Sequence, residues 1–275
     1  MRPPRTVLVT GASRGLGRAL VKHYLNVKDP ATSDGDVTEG EASIGGWRVV
    51  ACCRDDDTET VRRGFETELG RPLPPGQLCV VRLDVTDPES FANLESRLGS
   101  LGAPSLDVII NNAAVCVGRE CSIGAGIDYD AWRRSFDTNV VGVMRVTRAC
   151  LPWLAPEATV VNVSGRMGSI GRVMAGLGPS SSTTQDVVYR TTKAALNMLT
   201  VCAAAELRSS DPTKGVKVIA INPGWMNTEM GTKGGTVRAP LEPETSAAGI
   251  ARVVEGLSPE DSGRFLDWQG EEMPW

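Results

Sequence analysis

The 275-residue sequence has one histidine, His23. That excludes any site needing two histidine ligands, and any Ser-His-Asp triad placed elsewhere in the chain. There is no basic excess. Lys+Arg number 29 against 33 Asp+Glu, for a net charge of -4 and a pI near 5.3. A nucleic-acid partner, which selects a basic domain, is therefore not expected. No apolar run approaches the roughly 18–20 residues of a membrane span. The first apolar run, Thr6-Val7-Leu8-Val9-Thr10, is too short for a signal peptide, and no targeting segment is expected. The seven cysteines, at positions 52, 53, 79, 116, 121, 150 and 202, form no Cys-x-x-Cys. An odd count in a long chain is a poor disulfide framework. Cys52, Cys53 and Cys79 fall in apolar runs and read as buried, reduced thiols. The expectation is a cytoplasmic chain with no metal, membrane or nucleic-acid partner.

What is present is a core-forming composition, 41% hydrophobic and 23% charged. Apolar, β-rich runs alternate with helical periodicity. Strands are expected at 6–10, 47–53, 78–83, 106–110, 159–163, 216–221 and 263–266. Helices are expected at 14–28, 59–69, 88–98, 129–151, 187–207 and 243–257. Such alternation gives a parallel sheet covered on both faces, with right-handed crossovers. The fold class is therefore α/β, a doubly wound Rossmann fold of seven strands, mainly parallel, in one domain over 1–275. Residues 29–46 are acidic, Gly- and Ser-bearing and lack Lys and Arg. They read as a polar loop insertion remote from the strands' carboxyl ends, where ligands bind. Residues 171–185 and 225–240 read as loops over the substrate.

Glycines at 11, 15 and 17 follow the first strand in Thr10-Gly11-Ala12-Ser13-Arg14-Gly15-Leu16-Gly17. They permit a tight turn and close backbone approach to a pyrophosphate, with a helix N-terminus pointed at the anion. The second strand ends in Arg54, and Arg14 is a second cation on that side. A guanidinium pairs bidentately with a phosphate, which favours a 2′-phosphorylated dinucleotide, NADP(H), over NAD. Asp55 and Asp56 leave the ribose hydroxyl of NAD as the alternative. Tyr189 and Lys193, four apart, share one helix face. An ammonium close to a phenol, whose pKa is ordinarily about 10, favours the phenolate and suits it to acid–base work.

Together with Asp84-Val85, Asn111-Asn112-Ala113-Ala114, Asn139 and Pro223-Gly224-x-x-x-Thr228, these motifs resemble the short-chain dehydrogenase/reductase family. Within it the chain is similar to the C-factor and sniffer-type carbonyl reductases. The resemblance implies a hydride transfer between a nicotinamide and a carbonyl or alcohol substrate. Tyr189 is then the acid/base, tuned by Lys193, which also holds the nicotinamide ribose. Asn139 carries a water in the proton relay. Gly11, Ser13, Arg14, Gly15, Leu16, Gly17 and Arg54 hold the phosphates. Asp84 and Val85 bracket the adenine, Asn111 and Ala113 line the ribose, and Thr228 binds the carboxamide. Relatives associate through their long helices, so a homodimer or homotetramer is expected.

One family residue is missing. After the fifth strand the family has two serines, two further residues and a glycine, and its second serine polarises the substrate carbonyl. Here Ser164 matches the first serine and Gly165 replaces the second. Ser164 is the candidate surrogate, with Ser169 and the serines at 180–182 as others. The competing reading is a catalytically weakened NADP-binding protein with a signalling or interaction role.

Overall fold

The computed structural model describes residues 4–27, 46–55, 57–100, 106–122, 124, 126–176, 186–210 and 214–275. Its apolar runs form seven strands: β1 (Thr6–Thr10), β2 (Arg48–Cys53), β3 (Leu78–Arg82), β4 (Leu106–Asn111), β5 (Leu154–Val163), β6 (Lys217–Asn222) and β7 (Phe265–Asp267). All pair in parallel in the order β3-β2-β1-β4-β5-β6-β7. Alternate strand residues point to opposite faces. Val7, Val49, Val108, Val161 and Ile219 therefore enter one core with helices α1 (Gly15–Asn26), α2 (Thr58–Leu69) and α8 (Pro243–Glu255). Leu8, Val50, Ile109, Val160 and Val218 enter a second core, with α3 (Ser90–Ser100), α5 (Gly142–Cys150) and α7 (Val187–Ser210). Two cores on two faces are what a doubly wound sheet requires. Cys52, Cys53 and Cys79 are buried and free, as their runs imply.

The structure refines several expected elements. The helix expected over 129–151 is α4 (Tyr129–Phe136) and α5, joined by a π-helical turn over Asp137–Val141. Leu151 already belongs to a short 3₁₀ turn. β5 starts five residues before the expected Thr159, and its added part carries Pro156 and Glu157, the latter at φ 61. The segment expected as a loop over 171–185 opens inside a helix, α6 (Ile170–Ala175). Ser169 caps α6 by accepting from the Arg172 amide. The serines at 180–182 and nearly all of the 29–46 insertion lie outside the described residues.

Candidate active site

Strand order reverses between β1 and β4, and a crevice opens where their carboxyl ends diverge. The loop after β1 is stitched to the loop after β4. Thr10 Oγ1 accepts from the amides of Asn112 and Ala113, both at 3.0 Å. Asn112 Nδ2 donates back to Thr10 O at 2.8 Å. Gly11, at φ 66, lies so close that an added Cβ would meet Ala113 Cα at 2.9 Å. Gly17 does not line the crevice. It lets α1 close on the loop, since a Cβ there would overlap the Gly11 carbonyl oxygen.

The crevice is a cavity of about 980 Å³. Gly11, Ser13, Arg14, Gly15, Leu16, Arg54, Asp84, Val85, Ala113 and Thr228 line one run of its wall, and Ser164, Tyr189 and Lys193 another. Of the residues expected to hold a dinucleotide, all but Gly17 and Asn111 line this one cavity. Arg14 pairs with Glu229. Burial raises the Asp84 carboxyl, but the Thr86 amide and hydroxyl, with Arg54 and Arg82, hold it below the usual carboxylate range. Asp55 does not line the cavity, and Asp56 is outside the described residues.

Asn111 is a correction. Its side chain does not line the cavity. It lies buried between elements, donating to Asn162 Oδ1 at 2.9 Å and Thr147 Oγ1 at 3.2 Å. The strand pleat turns Asn111 into the second core, and Asn112, one residue on, takes the crevice side. Asn139 occupies the π-helical turn and is buried. It accepts from the Val115 amide at 2.8 Å and donates to Val115 O at 2.9 Å and Thr192 Oγ1 at 3.0 Å. It therefore ties the loop after β4 to α7. π-Turns recur at functional sites.

On α7, Lys193 Nζ lies 5.4 Å from the Tyr189 ring centroid and donates to Val163 O at 2.7 Å. Burial lowers the ammonium to about 8. The phenol departs from expectation. Burial, with Cys116 and Asp186 nearby, pushes Tyr189 above its ordinary value, and the opposing pull of Arg119 is smaller. Lys193 gives one of its three N–H groups to the sheet, and desolvation, the largest influence on the phenol, decides the direction. Cys116 lines the cavity beside them, its thiol pushed up to about 11 chiefly by burial.

Among the described residues, the candidate surrogate hydroxyls are engaged elsewhere. Ser164 Oγ donates to Asn197 Oδ1 at 2.6 Å, one turn beyond Lys193 on α7. Ser169 Oγ donates to Pro274 O at 2.5 Å. At Gly165 the backbone is extended, with φ 170, and an added Cβ would meet nothing within 4 Å. Sequence reasoning did not single out Asn112, Cys116, Arg119, Asp186 or Lys233. Asp186 directly precedes α7, three residues before Tyr189, and that spacing was the available signal.

A doubly wound sheet with a glycine-lined crevice at its switch point is the α/β architecture in which dinucleotides bind. The chain belongs to the short-chain dehydrogenase family, an oxidoreductase family that uses nicotinamide cofactors, whose profile matches residues 41–237. It is 40% identical over 172 residues to C-signal of Myxococcus xanthus, covering 62% of this chain and 93% of that protein. It is 30% identical to 1-hydroxy-2-glutathionyl-2-methyl-3-butene dehydrogenase of Rhodococcus sp. (strain AD45), covering 98% of this chain and 99% of that protein. The NADPH-bound carbonyl reductase from chicken fatty liver superposes with a TM-score of 0.78 at 30% identity, over 100% of both chains. No helix among the described residues is long and apolar enough to cross a membrane.

Proposed function

We propose that this chain is an NADP(H)-dependent carbonyl reductase whose acid/base is Tyr189. The observation that carries the reading is that Gly11 and Gly15 of the glycine loop, Arg14, Arg54, Tyr189 and Lys193 line one cavity. Its carbonyl-reductase neighbour holding NADPH supports it. Arg14 and Arg54 suit a 2′-phosphate, and the competing Asp55 does not line the cavity.

When bound, the reduced nicotinamide supplies the hydride that forms the new C–H bond at the carbonyl carbon. Tyr189 donates its phenolic proton as the carbonyl π pair moves to oxygen, giving the alcohol. The phenolate left behind is stabilised by the Lys193 ammonium and recovers a proton from solvent. Asn139 holds the loop after β4 against α7, and so keeps Tyr189 in place. With glycine at 165 and the Ser164 hydroxyl given to Asn197, Tyr189 is the donor to the developing oxyanion, and turnover is slow. Exposed Val141 and Met144, with Met198 and Val201 on α7, support a dimeric or tetrameric assembly.

The second reading is a cofactor-binding protein that signals through its contacts. The missing hydroxyl at 165 and the 40% identity to C-signal favour it. The deciding experiment supplies deuterated NADPH and an aldehyde. Under the reductase reading the alcohol carries one deuterium on the former carbonyl carbon, and Tyr189→Phe yields none. Cofactor bound without any labelled alcohol across a broad aldehyde panel would favour the second reading.

A further inference from the structure

Among the described residues, Glu157, Asp186 and Lys233 are the non-glycine residues with positive φ. Two of them meet. Asp186 has φ 56 and Lys233 φ 52, and Lys233 Nζ lies 3.8 Å from Asp186 Oδ2. Such backbone is sparsely populated outside glycine. It persists where the surroundings hold it, as at clamps and switch regions. Asp186 directly precedes α7, and its side chain is only 6% exposed. Its Oδ1 accepts from Arg119 Nη1 at 3.2 Å, and Arg119 Nη2 donates to Met230 O at 2.8 Å. Arg119 stands on a fixed turn, since a Cβ on Gly118, at φ 64, would meet Ala131 Cβ at 2.8 Å. Asp186 therefore joins three segments: the loop after β4, the start of α7 and the loop after β6, residues 223–242.

The loop after β6 gives Met226, Thr228, Met230 and Lys233 to the cavity lining. Within itself it is held by short turns, such as Trp225 Nε1 to Gly231 O at 2.8 Å and the Gly231 amide to Thr228 Oγ1 at 3.1 Å. It also reaches the glycine loop through Glu229 and Arg14, but both side chains are mostly exposed, and an exposed pair contributes little. The buried carboxylate is the stronger tie. We propose that Asp186 is a positioning residue, an ionic latch that holds the loop after β6 against the cavity through Arg119 and Lys233 and so slows release of the bound dinucleotide. This rests on the reading of the cavity as an NADP(H) site.

Two measurements test the latch in wild type, Asp186→Asn, Arg119→Gln and the double variant. Asn tolerates positive φ as Asp does, so Asp186→Asn removes the charge and leaves the turn. The first measurement is hydrogen exchange without added nucleotide. Amides of 229–237 should exchange about tenfold faster in each single variant, the worth of one charge-assisted hydrogen bond, with β1, β4 and β5 unchanged. The second is release of NADPH, followed by its fluorescence during a chase with excess NADP⁺. Release should be about tenfold faster in each single variant, and in the double variant faster by less than the product of the two. Arg119→Gln alters a more exposed side chain and remains informative if Asp186→Asn folds poorly. Unchanged exchange over 229–237 in both variants would overturn the proposal. So would exchange raised equally in the strands, release unchanged where local exchange rises, or the full product in the double variant. A failure of the cofactor reading looks different: wild type binds no NADPH, while exchange over 229–237 still decides whether Asp186 latches the loop.

Discussion

Lys193 holds a buried ammonium on one hydrogen bond to Val163 O, and burial lowers it from 10.5 to about 8. Below about 8 the side chain is protonated in both the folded and unfolded chain, and the desolvation cost is fully present. Between about 8 and 10.5 the unfolded chain binds more protons, so stability rises with pH. Lys193→Met removes this rise. The stability of wild type minus that of the variant, from urea melts across that window, should increase with pH, whereas a flat difference would place the Lys193 pKa elsewhere. The sequence showed that Tyr189 and Lys193 share a helix face, because four-residue spacing suffices for that. It did not show the direction of the Tyr189 shift, which depends on what buries the phenol. Nor did it separate Asn111 from Asn112. Which of two adjacent residues faces the crevice depends on where the pleat leaves the strand.

At the scale of elements, the π-helical turn over Asp137–Val141 places Asn139 between the loop after β4 and α7. Its side chain answers the Val115 amide and carbonyl and the Thr192 hydroxyl at once. Asn139→Ala leaves a buried amide unpaired, which costs about 1–3 kcal/mol. The expected outcome is a lower thermal midpoint together with slower turnover, because the same contacts fix α7 under Tyr189. Unchanged stability in a calorimetric melt would show that the turn holds itself. Strand and helix alternation was legible in the sequence because the two periodicities differ. The π-turn was not, since widening one turn leaves the apolar pattern of the helix almost intact. The early start of β5 was hidden by Pro156 and by Glu157 at φ 61, which read as breakers in sequence and are absorbed as an irregularity beside Leu106 and Val108.

At the scale of the whole molecule, a chain of net charge -4 lines one cavity with Arg14 and Arg54 among its cations. On the proposed reading Arg14 and Arg54 hold the cofactor's phosphates. NADPH should therefore raise the thermal midpoint more than NADH at equal concentration, through mass action on the folded state. Arg54→Gln should narrow that gap by about tenfold in relative affinity, the worth of one charge-assisted bond. Equal shifts for the two cofactors in wild type would contradict a 2′-phosphate site. The glycine loop and the order of the motifs foretold the fold and the family. Arg119, Asp186 and Lys233 were not legible, because they are far apart in sequence and meet only through the fold.

The most direct test compares NADPH consumption by wild type, Tyr189→Phe and Gly165→Ser on the same set of aldehydes. Nothing lies within 4 Å of a Cβ built at 165, where the backbone is extended, so there is space for a serine. A restored oxyanion donor contributes about 10²–10³ in rate. The expected result is slow turnover in wild type, faster by about that factor in Gly165→Ser, and none in Tyr189→Phe. Consumption that survives in Tyr189→Phe, or that serine at 165 leaves unchanged, would contradict a reductase that works through Tyr189 with its oxyanion position empty.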